Sequence, residues 1–379
     1  MKDSTFIITG GAGFIGSNFT AMLAAEFPGA RIVVADALTY AGNISSIKHL
    51  IDSGRIEFRK MDITCKNGVD ALMDEFEPNY VVNFAAESHV DRSVDDPTPF
   101  IDTNVGGTFR LLDALRRQRK RQMADGVRPS LKKYVQISTD EVYGDLPVEA
   151  PRQAPSDLCR RLGRDVTLYG EDAFKETSPI NPSSPYSASK ASADLLTLSY
   201  VRSFGLPAVV TRCSNNYGPF QFPEKLIPLA INNLCEGRPI PVYGAGTNVR
   251  DWIHVDDHCR GIIAALRDGT PGQVYNFGGY NEQRNIDLVH KLIDAFSALT
   301  GKPVGADAVT FVSDRPGHDR RYAIDAAKAF AELGWQPTVD PGKGLLQTVK
   351  WYLDNRAWIE GIIEDNYRDY YAKMYENRH

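Results

Sequence analysis

The sequence predicts an α/β protein with a doubly wound parallel sheet and a smaller, interleaved C-terminal domain. Over the first half of the 379 residues, short runs of β-branched and aromatic residues alternate with longer segments of helical periodicity. Right-handed crossovers turn this alternation into a parallel sheet. After Cys213 the regularity weakens, and Pro, Gly and Asn residues cluster. We therefore assign residues 1–212 to the sheet domain and 213–379 to a domain that closes over the carboxyl edge of the sheet, where such folds bind ligands.

The predicted elements follow from this alternation. The predicted strands are Thr5–Thr9, Arg31–Ala35, Ile56–Lys60, Tyr80–Phe84, Tyr134–Ser138 and Ala208–Thr211, and the predicted helices are Ile15–Glu26, Val69–Phe76, Thr103–Arg117 and Ala188–Phe204. Two segments have the character of insertions, Arg116–Lys133 with its run of basic residues and the long, Pro-bearing Gly144–Thr177. Because no aromatic residues interrupt the basic run, we interpret it as a solvated helix end and not as a nucleic-acid site.

The composition of the chain argues against some classes of partner and predicts the compartment in which the protein acts. Lys and Arg total 43 against 48 Asp and Glu, a net charge of −5 that argues against a nucleic-acid partner. No segment approaches the roughly 18 apolar residues of a membrane span, and the N-terminus lacks a signal-peptide pattern. Five scattered cysteines without a CxxC pair argue against disulfides and predict a cytoplasmic protein.

One pair of residues has a spacing that metal sites also use. His254 and His258 lie four apart. They follow an apolar strand, so we expect Asp256 or Asp257 to cap the next helix and predict no metal site.

A glycine-rich turn near the N-terminus predicts a dinucleotide site. Gly10, Gly13 and Gly16 lie between the first strand and the first helix. In a Rossmann-like domain these positions allow a tight turn, close approach of a pyrophosphate to the backbone, and close packing of helix on strand. Asp36 ends the second strand, where a carboxylate accepts hydrogen bonds from a ribose 2′-OH and repels a 2′-phosphate. No Arg or Lys follows at 37–39, which predicts NAD and not NADP.

Two further clusters predict proton transfer beside that cofactor. Tyr186 and Lys190 are four apart at the start of a helix and therefore share one face. We expect the ammonium and a cationic nicotinamide to lower the pKa of Tyr186, so that the phenolate accepts the proton of a sugar hydroxyl. A strand delivers Thr139, Asp140 and Glu141 to the carboxyl edge. Thr139 serves to hold the substrate oxygen, and two carboxyl groups in one cleft take different protonation states, one acid and one base.

The sequence resembles the dTDP-glucose 4,6-dehydratases, a group of extended short-chain dehydrogenases/reductases, along nearly its whole length. The shared runs are Thr9–Gly16, Ala85–Ser93, Ser138–Gly144, Tyr186–Lys190, Cys213–Pro219, Phe222–Pro228 and Arg315–Tyr322. Sugar-nucleotide 4-epimerases are similar elsewhere but usually lack the adjacent Asp-Glu pair. The resemblance implies a redox-neutral cycle with tightly held NAD. In that cycle Tyr186 and Thr139 assist oxidation at C4, Glu141 removes the C5 proton, Asp140 protonates the departing C6 hydroxyl, and hydride returns to C6. Lys190 completes the predicted catalytic set.

The resemblance also implies binding residues and an assembly. The residues expected around NAD are Gly10, Gly13, Phe14, Ile15, Gly16, Asp36, Ala37, Leu38, Thr39, Asp62, Ile63, Phe84, Ala85, Ala86, Ser88, Thr103, Tyr186, Lys190 and Asn216. Those expected to contact the sugar nucleotide are Ser88, Thr139, Asn215, Lys225, Leu226, Pro241, Val242, Tyr243, Arg250, Asn285, Asp314, Arg315, Pro316, Gly317 and His318. A homodimer is expected, through the helices at 103–117 and 188–204. The alternatives that stay open are a UDP-glucose 4,6-dehydratase, a UDP-sugar 4-epimerase or decarboxylase, and a non-catalytic sensor of NAD or nucleotide sugars.

Overall fold

The computed structural model describes residues 1–314 and 317–363. The strands in this part of the chain are β1 (Thr5–Thr9), β2 (Arg31–Asp36), β3 (Glu57–Lys60), β4 (Tyr80–Asn83), β5 (Lys133–Thr139), β6 (Arg152–Gln153), β7 (Thr167–Leu168), β8 (Ala208–Cys213), β9 (Asn215–Tyr217), β10 (Ile240–Tyr243), β11 (Val249–His254), β12 (Val274–Phe277), β13 (Glu282–Arg284) and β14 (Val309–Val312).

The helices lie between and after these strands. They are α1 (Phe14–Glu26), α2 (Lys48–Asp52), α3 (Lys66–Phe76), α4 (Val90–Asp95), α5 (Thr98–Phe100), α6 (Thr108–Ala124), α7 (Ser156–Leu162), α8 (Pro185–Phe204), α9 (Leu226–Glu236), α10 (Val255–Asp268), α11 (Asn285–Thr300), α12 (Ala327–Leu333), α13 (Pro341–Asp354) and α14 (Arg356–Glu360). Short 3₁₀ turns occur at Ile44–Ser46, Asp140–Tyr143 and Ala306–Ala308, and Ile101–Gly107 is π-helical. Among the described residues, no helix is both long and apolar enough to cross a membrane.

A seven-stranded sheet in the order β12-β8-β5-β4-β1-β2-β3 forms the centre of the protein, and every adjacent pair is parallel. Alternate side chains of a strand point to opposite faces of the sheet and pack into different apolar cores. Phe6 and Ile8 pack with α1 and α10, whereas Ile7 packs with α3 and α6 on the other face. The predicted doubly wound parallel sheet is therefore confirmed. The prediction included six of its strands and missed the edge strand β12.

The basic residues from Arg116 to Arg121 lie in the last turns of α6, which agrees with the interpretation of this run as a helix end. The helix α6 continues through Arg121 to Ala124 because its basic side chains meet carboxylates on α6 and on the neighbouring α3. Arg117 contacts Asp70 and Asp113, and Arg121 contacts Asp74. Ion pairs of this kind, between exposed groups, add little stability each, but together they give the run a structural role.

The segment 144–177 folds over the sheet and packs on the later part of the chain. It contains the antiparallel pair β6–β7 and the short helix α7. Phe174 enters a small apolar core with Val142, Tyr143 and Ile324. In sequence, this segment connects the 3₁₀ turn that carries Asp140 and Glu141 to the helix that carries Tyr186.

The chain after Cys213 builds smaller sheets near the carboxyl edge of the central sheet. Strands β9, β11 and β13 form one sheet, and β10 pairs with β14. Helices α9, α11 and α13 pack on these strands around Ile231, Trp252 and Leu292. The cap of α10 differs from the prediction. The N-cap is His254, whose side chain accepts the backbone N–H of Asp256. Neither Asp256 nor Asp257 is the cap.

Candidate active site

A cleft with a volume of about 440 Å³ opens at the carboxyl edge of the central sheet. Its floor is made by the ends of β1, β4, β5 and β8, and residues of β9, α9 and β10 form the opposite wall. Strands β1 and β4 are neighbours in the sheet although β2 and β3 intervene in sequence. This is the topological switch point at which open α/β sheets bind ligands.

The turn between β1 and α1 fits a bound pyrophosphate. Gly10 has a φ of +71°, and a Cβ there would lie 2.5 Å from the backbone nitrogen of Ala85. A Cβ on Gly16 would lie 2.2 Å from the carbonyl oxygen of Gly10. Gly13 is the N-cap of α1, and no side chain caps that end of the helix. The first N–H groups of α1, together with the positive end of its dipole, are therefore open to an anion.

The carboxylate of Asp36 lies next to this turn. Its Oδ2 accepts the N–H of Ala12 at 2.9 Å, and its Oδ1 accepts the N–H of Leu38 at 2.8 Å. Burial raises the pKa of Asp36, while these two backbone donors oppose the shift. Every residue predicted to surround the cofactor lines the cleft except Leu38. Leu38 has a φ of +54°, which directs its N–H to Asp36, and its side chain packs against the apolar core.

The triplet Thr139, Asp140 and Glu141 begins where β5 ends. The hydroxyl of Thr139 donates to Asp140 Oδ1 and accepts the N–H of Glu141, each over 3.2 Å. Asp140 is 2 % exposed, whereas Glu141 is half-buried. Burial, followed by the charges of Glu141 and Asp251, raises the pKa of Asp140 well above its ordinary value. The two adjacent carboxyl groups therefore have different environments, and Asp140 is the one that keeps its proton.

Tyr186 occupies the first turn of α8 because of a capping box. Ser184 accepts the N–H of Ser187 at 3.1 Å, and the Ser187 hydroxyl accepts the N–H of Ser184 at 3.0 Å. Pro185 occupies the first turn, where proline is favoured. Tyr186 and Lys190 then face the ends of β5 and β8, and Lys190 Nζ donates to the carbonyl oxygen of Ile137 at 2.6 Å.

Lys190 and a cationic nicotinamide together are expected to lower the pKa of Tyr186, but the surroundings of Tyr186 within the chain raise it. Burial, followed by the nearby Glu141 carboxylate, raises the pKa of Tyr186 well above its ordinary value. Burial also lowers the pKa of Lys190. Within the chain, desolvation outweighs the ammonium, and the lowered pKa of Tyr186 beside a cationic nicotinamide stays a prediction.

The residues predicted to contact a sugar nucleotide divide into three groups. Eleven of the fifteen line the cleft, whereas Asp314 and Gly317 do not. Arg315 and Pro316 lie outside the described residues. Asp314 is exposed, and its carboxylate instead binds His318 Nδ1 at 2.6 Å. Gly317 lies in a turn with a φ of +67°.

The lining residues also offer polar atoms that suit a ligand. The buried Oδ1 atoms of Asn215 and Asn285 have no hydrogen-bond partner within the described part of the chain. Lys225 donates to the carbonyl oxygen of Ser88 at 3.0 Å, which joins the two walls of the cleft. The guanidinium of Arg250 is oriented by the hydrogen bonds that it donates to the carbonyl oxygens of Val249 and Asp319. Because amide oxygens accept hydrogen bonds, the Oδ1 atoms of Asn215 and Asn285 suit the hydroxyl donors of a bound sugar.

Comparison with known proteins shows how this arrangement is shared. Residues 6–278 match the model of the NAD dependent epimerase/dehydratase family. The chain belongs to the NAD-dependent epimerase/dehydratase family. It is 43 % identical over 373 residues to the dTDP-glucose 4,6-dehydratase of Salmonella typhimurium, covering 98 % of this chain and 99 % of that protein.

Solved structures of family members agree with the fold. A dTDP-glucose 4,6-dehydratase from Streptomyces venezuelae, solved with NAD and dTDP bound, is 39 % identical with a TM-score of 0.81, and the match covers 94 % of this chain and 99 % of that one. A UDP-glucose 4-epimerase from Thermus thermophilus, solved with NAD, is 28 % identical with a TM-score of 0.76 and covers 93 % and 99 %. The resemblance to the dehydratase group is thereby confirmed, as is NAD as the cofactor of the family.

The sequence-based predictions gave no role to a group of contacting side chains in which Phe222 and Glu224 line the cleft. Arg92 donates to Glu224 Oε2 at 3.2 Å from both Nε and Nη2, and its guanidinium lies 4.1 Å above the ring of Tyr40. Phe222 contacts the same ring edge-on. These contacts join the loop after β2 to the loop before α9. Arg92 and Glu224 lie in runs that the sequence shares with the dehydratases, but only the folded chain shows that they meet.

A second unpredicted residue, His258, supports a predicted one. His258 is fully buried, and its Nδ1 lies 2.9 Å from Oδ1 of Asn216. Burial lowers the pKa of His258 to about 3, so the ring is neutral and Nδ1 carries the proton it donates. Asn216 in turn donates to the carbonyl oxygen of Ser214 at 2.9 Å. The spacing of His254 and His258 drew attention to this histidine, but nothing in that spacing pointed to Asn216 as its partner.

Proposed function

We propose that this protein is a dTDP-glucose 4,6-dehydratase, which converts dTDP-glucose into dTDP-4-keto-6-deoxyglucose and so acts in deoxysugar biosynthesis. The observation that carries this proposal is the pair of adjacent carboxyl groups, Asp140 and Glu141, in one cleft with Tyr186. A 4-epimerase moves hydride at one carbon and has no use for both groups. Dehydration needs an acid and a base in addition to the hydride chemistry.

The burial of the two carboxyl groups supports different roles for them. Asp140 is almost fully buried with a raised pKa, so it carries a proton that it donates to the departing C6 hydroxyl. Glu141 is half-buried, and its partial contact with solvent suits a carboxylate that removes the C5 proton. Oxidation at C4 makes that proton acidic. This is the pattern in which environment separates two carboxyl groups into acid and base.

Tyr186, Thr139 and Lys190 act on the C4 hydroxyl. Thr139 holds the substrate oxygen and Tyr186 receives its proton. NAD, when bound, accepts hydride from C4 and later supplies it to C6, so the overall reaction is redox neutral. Lys190 donates a hydrogen bond to the carbonyl oxygen of Ile137 and so places a positive charge behind the phenol. The N-terminus of α1 and Asp36 suit the pyrophosphate and ribose of NAD.

We infer that the chain after Cys213 forms the sugar-nucleotide domain, with some segments returning to the sheet domain. Support comes from the separate apolar core around α9, α11 and α13, and from the wall that Lys225, Val242 and Tyr243 add to the cleft. Arg250 and Arg315 are the guanidinium groups we assign to the diphosphate, and Tyr243 offers a ring to the base. Thymine and uracil differ by one methyl group, so UDP-glucose is the alternative substrate.

We further propose a cytoplasmic homodimer. Phe109 on α6 and Leu195 on α8 are 46 % and 57 % exposed, and the nearby Ile101 is 50 % exposed. Exposed apolar side chains on neighbouring helices suit burial against a second copy of the chain. The five cysteines are all unpaired, as expected in a reducing compartment.

The experiment that tests the function is incubation of the NAD-loaded protein with dTDP-glucose or UDP-glucose in D₂O. We expect a product that has lost one water and carries solvent deuterium at C5. Glu141→Gln should abolish product formation, whereas Glu149→Gln, an exposed residue outside the cleft, should not. A C4-epimerised product without deuterium would show an epimerase instead. Bound NAD with unchanged sugar would indicate a sensor, and a preference for UDP-glucose would change the substrate.

A further inference from the structure

The short helix α4 is bonded to the opposite wall of the cleft, which the later part of the chain provides. Tyr243 donates its hydroxyl to Oδ2 of Asp91 at 3.0 Å. The next residue, Arg92, donates to Glu224 Oε2 at 3.2 Å from both Nε and Nη2. Two neighbouring residues of α4 therefore hold β10 and the loop before α9.

The residue that follows them, Ser93, contacts the helix that carries the proposed catalytic phenol. The backbone N–H of Tyr186 donates to Ser93 Oγ at 3.2 Å, and Ser93 Oγ donates to the carbonyl oxygen of Val90 at 2.6 Å. Ser93 is fully buried. The N–H groups in the first turn of a helix have no acceptor within that helix. Ser93 therefore supplies, from a different element, the acceptor for the N–H of Tyr186.

The same part of the chain holds Tyr186 at a second point. Phe100 at the end of α5 is buried, and its ring contacts the ring of Tyr186 edge-on with the centroids 6.2 Å apart. Two residues separate α4 from α5. The backbone of Tyr186 is thus held by Ser93 and its ring by Phe100, so a shift of this segment would move the phenol relative to the substrate hydroxyl.

We propose that Ser93 is a positioning residue for Tyr186, and that α4 links the nucleotide end of the cleft to the position of the phenol. The proposal rests on the proposed dehydratase function, in which Tyr243 meets the base and Tyr186 receives the C4 proton. Consecutive residues of a helix point about 100° apart. Asp91 and Ser93 can therefore hold different elements while they move together as parts of one helical turn.

Such a link explains how the base could assist chemistry at C4. The base and C4 lie towards opposite ends of a nucleotide sugar, so contacts to the base reach the reacting carbon through the protein. Binding energy from a remote part of a substrate raises kcat when it orients a catalytic group. The path from Tyr243 to Tyr186 consists of two hydrogen bonds and one turn of helix, and the bond at Ser93 is fully shielded from water.

Ser93→Ala tests the positioning role in the NAD-loaded protein with dTDP-glucose. At saturating substrate, kcat should fall by roughly tenfold or more because the phenol is no longer fixed. The affinity for dTDP, measured by calorimetry, should not fall. The isotope effect of deuterium at C4 on kcat should be no smaller than in the wild type, since oxidation is the slowed step. The control Ser192→Ala removes a hydroxyl that donates within α8, to the carbonyl oxygen of Ala188, and should leave kcat unchanged.

A double-mutant cycle tests the link through α4. Tyr243→Phe keeps the ring but loses the hydrogen bond to Asp91, so kcat should fall by roughly threefold. In the Ser93→Ala background the same substitution should lower kcat no further, because the path is already broken. Asp91→Ala breaks the link without a change in α8 and should match Tyr243→Phe. That variant makes the test independent of the folding of Ser93→Ala.

Four results would overturn the proposal. The first two are a Ser93→Ala protein with the kcat of the wild type, and a loss of dTDP affinity as large as the loss of kcat. The third is an isotope effect at C4 that falls in Ser93→Ala, since another step would then be slowed. The fourth is a double variant in which the losses from Tyr243→Phe and Ser93→Ala multiply. Absence of dehydration in the wild type would instead contradict the proposed function itself.

Discussion

Arg212 donates a hydrogen bond from Nε to Oδ2 of Asp194 over 2.9 Å, and the two side chains are 3 % and 0 % exposed. Asp194 follows Lys190 by one helical turn on α8, as Lys190 follows Tyr186. The carboxylate therefore neutralises Arg212 and also lies on the helix face that carries the predicted proton-transfer residues. Removing either partner of a charge pair buried to this extent would destabilise the fold, because the remaining charge would be buried without compensation.

We predict that Asp194→Asn destabilises the fold by about 3–5 kcal/mol, because it leaves the Arg212 guanidinium buried without a counter-charge. Urea unfolding measures the change. The control is Asp354→Asn, which removes the partner of Lys350 in an exposed i,i+4 pair and should cost no more than about 0.5 kcal/mol. Equal losses in the two variants would contradict the importance of the buried pair.

The second prediction is that a substitution at Asp140 slows water elimination more than oxidation at C4. Asp140→Asn removes the acid but leaves Thr139, Tyr186 and Lys190 in place. Water elimination should slow by about 10²- to 10⁴-fold, while oxidation at C4 should slow much less. Single-turnover absorbance of NADH reports oxidation, and quenched product reports elimination. The outcome against the assignment is NADH formation that falls as far as product formation.

A third prediction uses two glycines that share a backbone conformation. Gly10 and Gly54 have φ values of +71° and +68°, but a Cβ on Gly54 would meet no atom within 4 Å. Gly54→Ala should therefore cost only the roughly 1–2 kcal/mol of a left-handed alanine. Gly10→Ala also forces the chain away from Ala85 and should greatly weaken NAD binding, measured by fluorescence titration. If both variants bind NAD like the wild type, the turn at Gly10 is not the pyrophosphate site.

Local patterns in the sequence were sufficient to predict the central sheet and the cleft. Gly10 and Asp36 follow strands whose alternation is clear, so their meeting at one edge could be inferred. The edge strand β12 was missed because Val274–Phe277 is short and lies in the irregular second half. Contacts such as Arg92 with Glu224 join residues 132 positions apart, and no local periodicity reports them. The raised pKa of Tyr186 within the chain could not be predicted for the same reason, since it depends on burial by the whole fold.

A fourth prediction concerns the proposed dimer. Leu195→Arg places a charge on the exposed apolar face of α8 and should convert a dimer to monomers, measured by sedimentation. Leu346 on α13 is 41 % exposed, and Leu346→Arg provides a matched control that should leave the assembly unchanged. A protein that is monomeric before any substitution, or a dimer insensitive to Leu195→Arg, would exclude this interface.

The last prediction concerns acid stability and His258. Burial lowers its pKa to about 3 in the folded protein, against about 6.5 in an unfolded chain. Between these values the unfolded state binds a proton that the folded state does not, so stability is lost as the pH falls below about 6.5. From pH 7.5 to pH 5 this group alone should lower the free energy of unfolding by about 2 kcal/mol.

The variant His258→Asn tests this prediction, because it keeps a donor near Asn216 but does not titrate there. Its unfolding free energy should therefore change less with pH than that of the wild type, by about that amount. The exposed His49, replaced in the same way, is the control. If His258→Asn and the wild type lose stability in parallel, the ring is already protonated in the folded protein and cannot donate from Nδ1 as a neutral group.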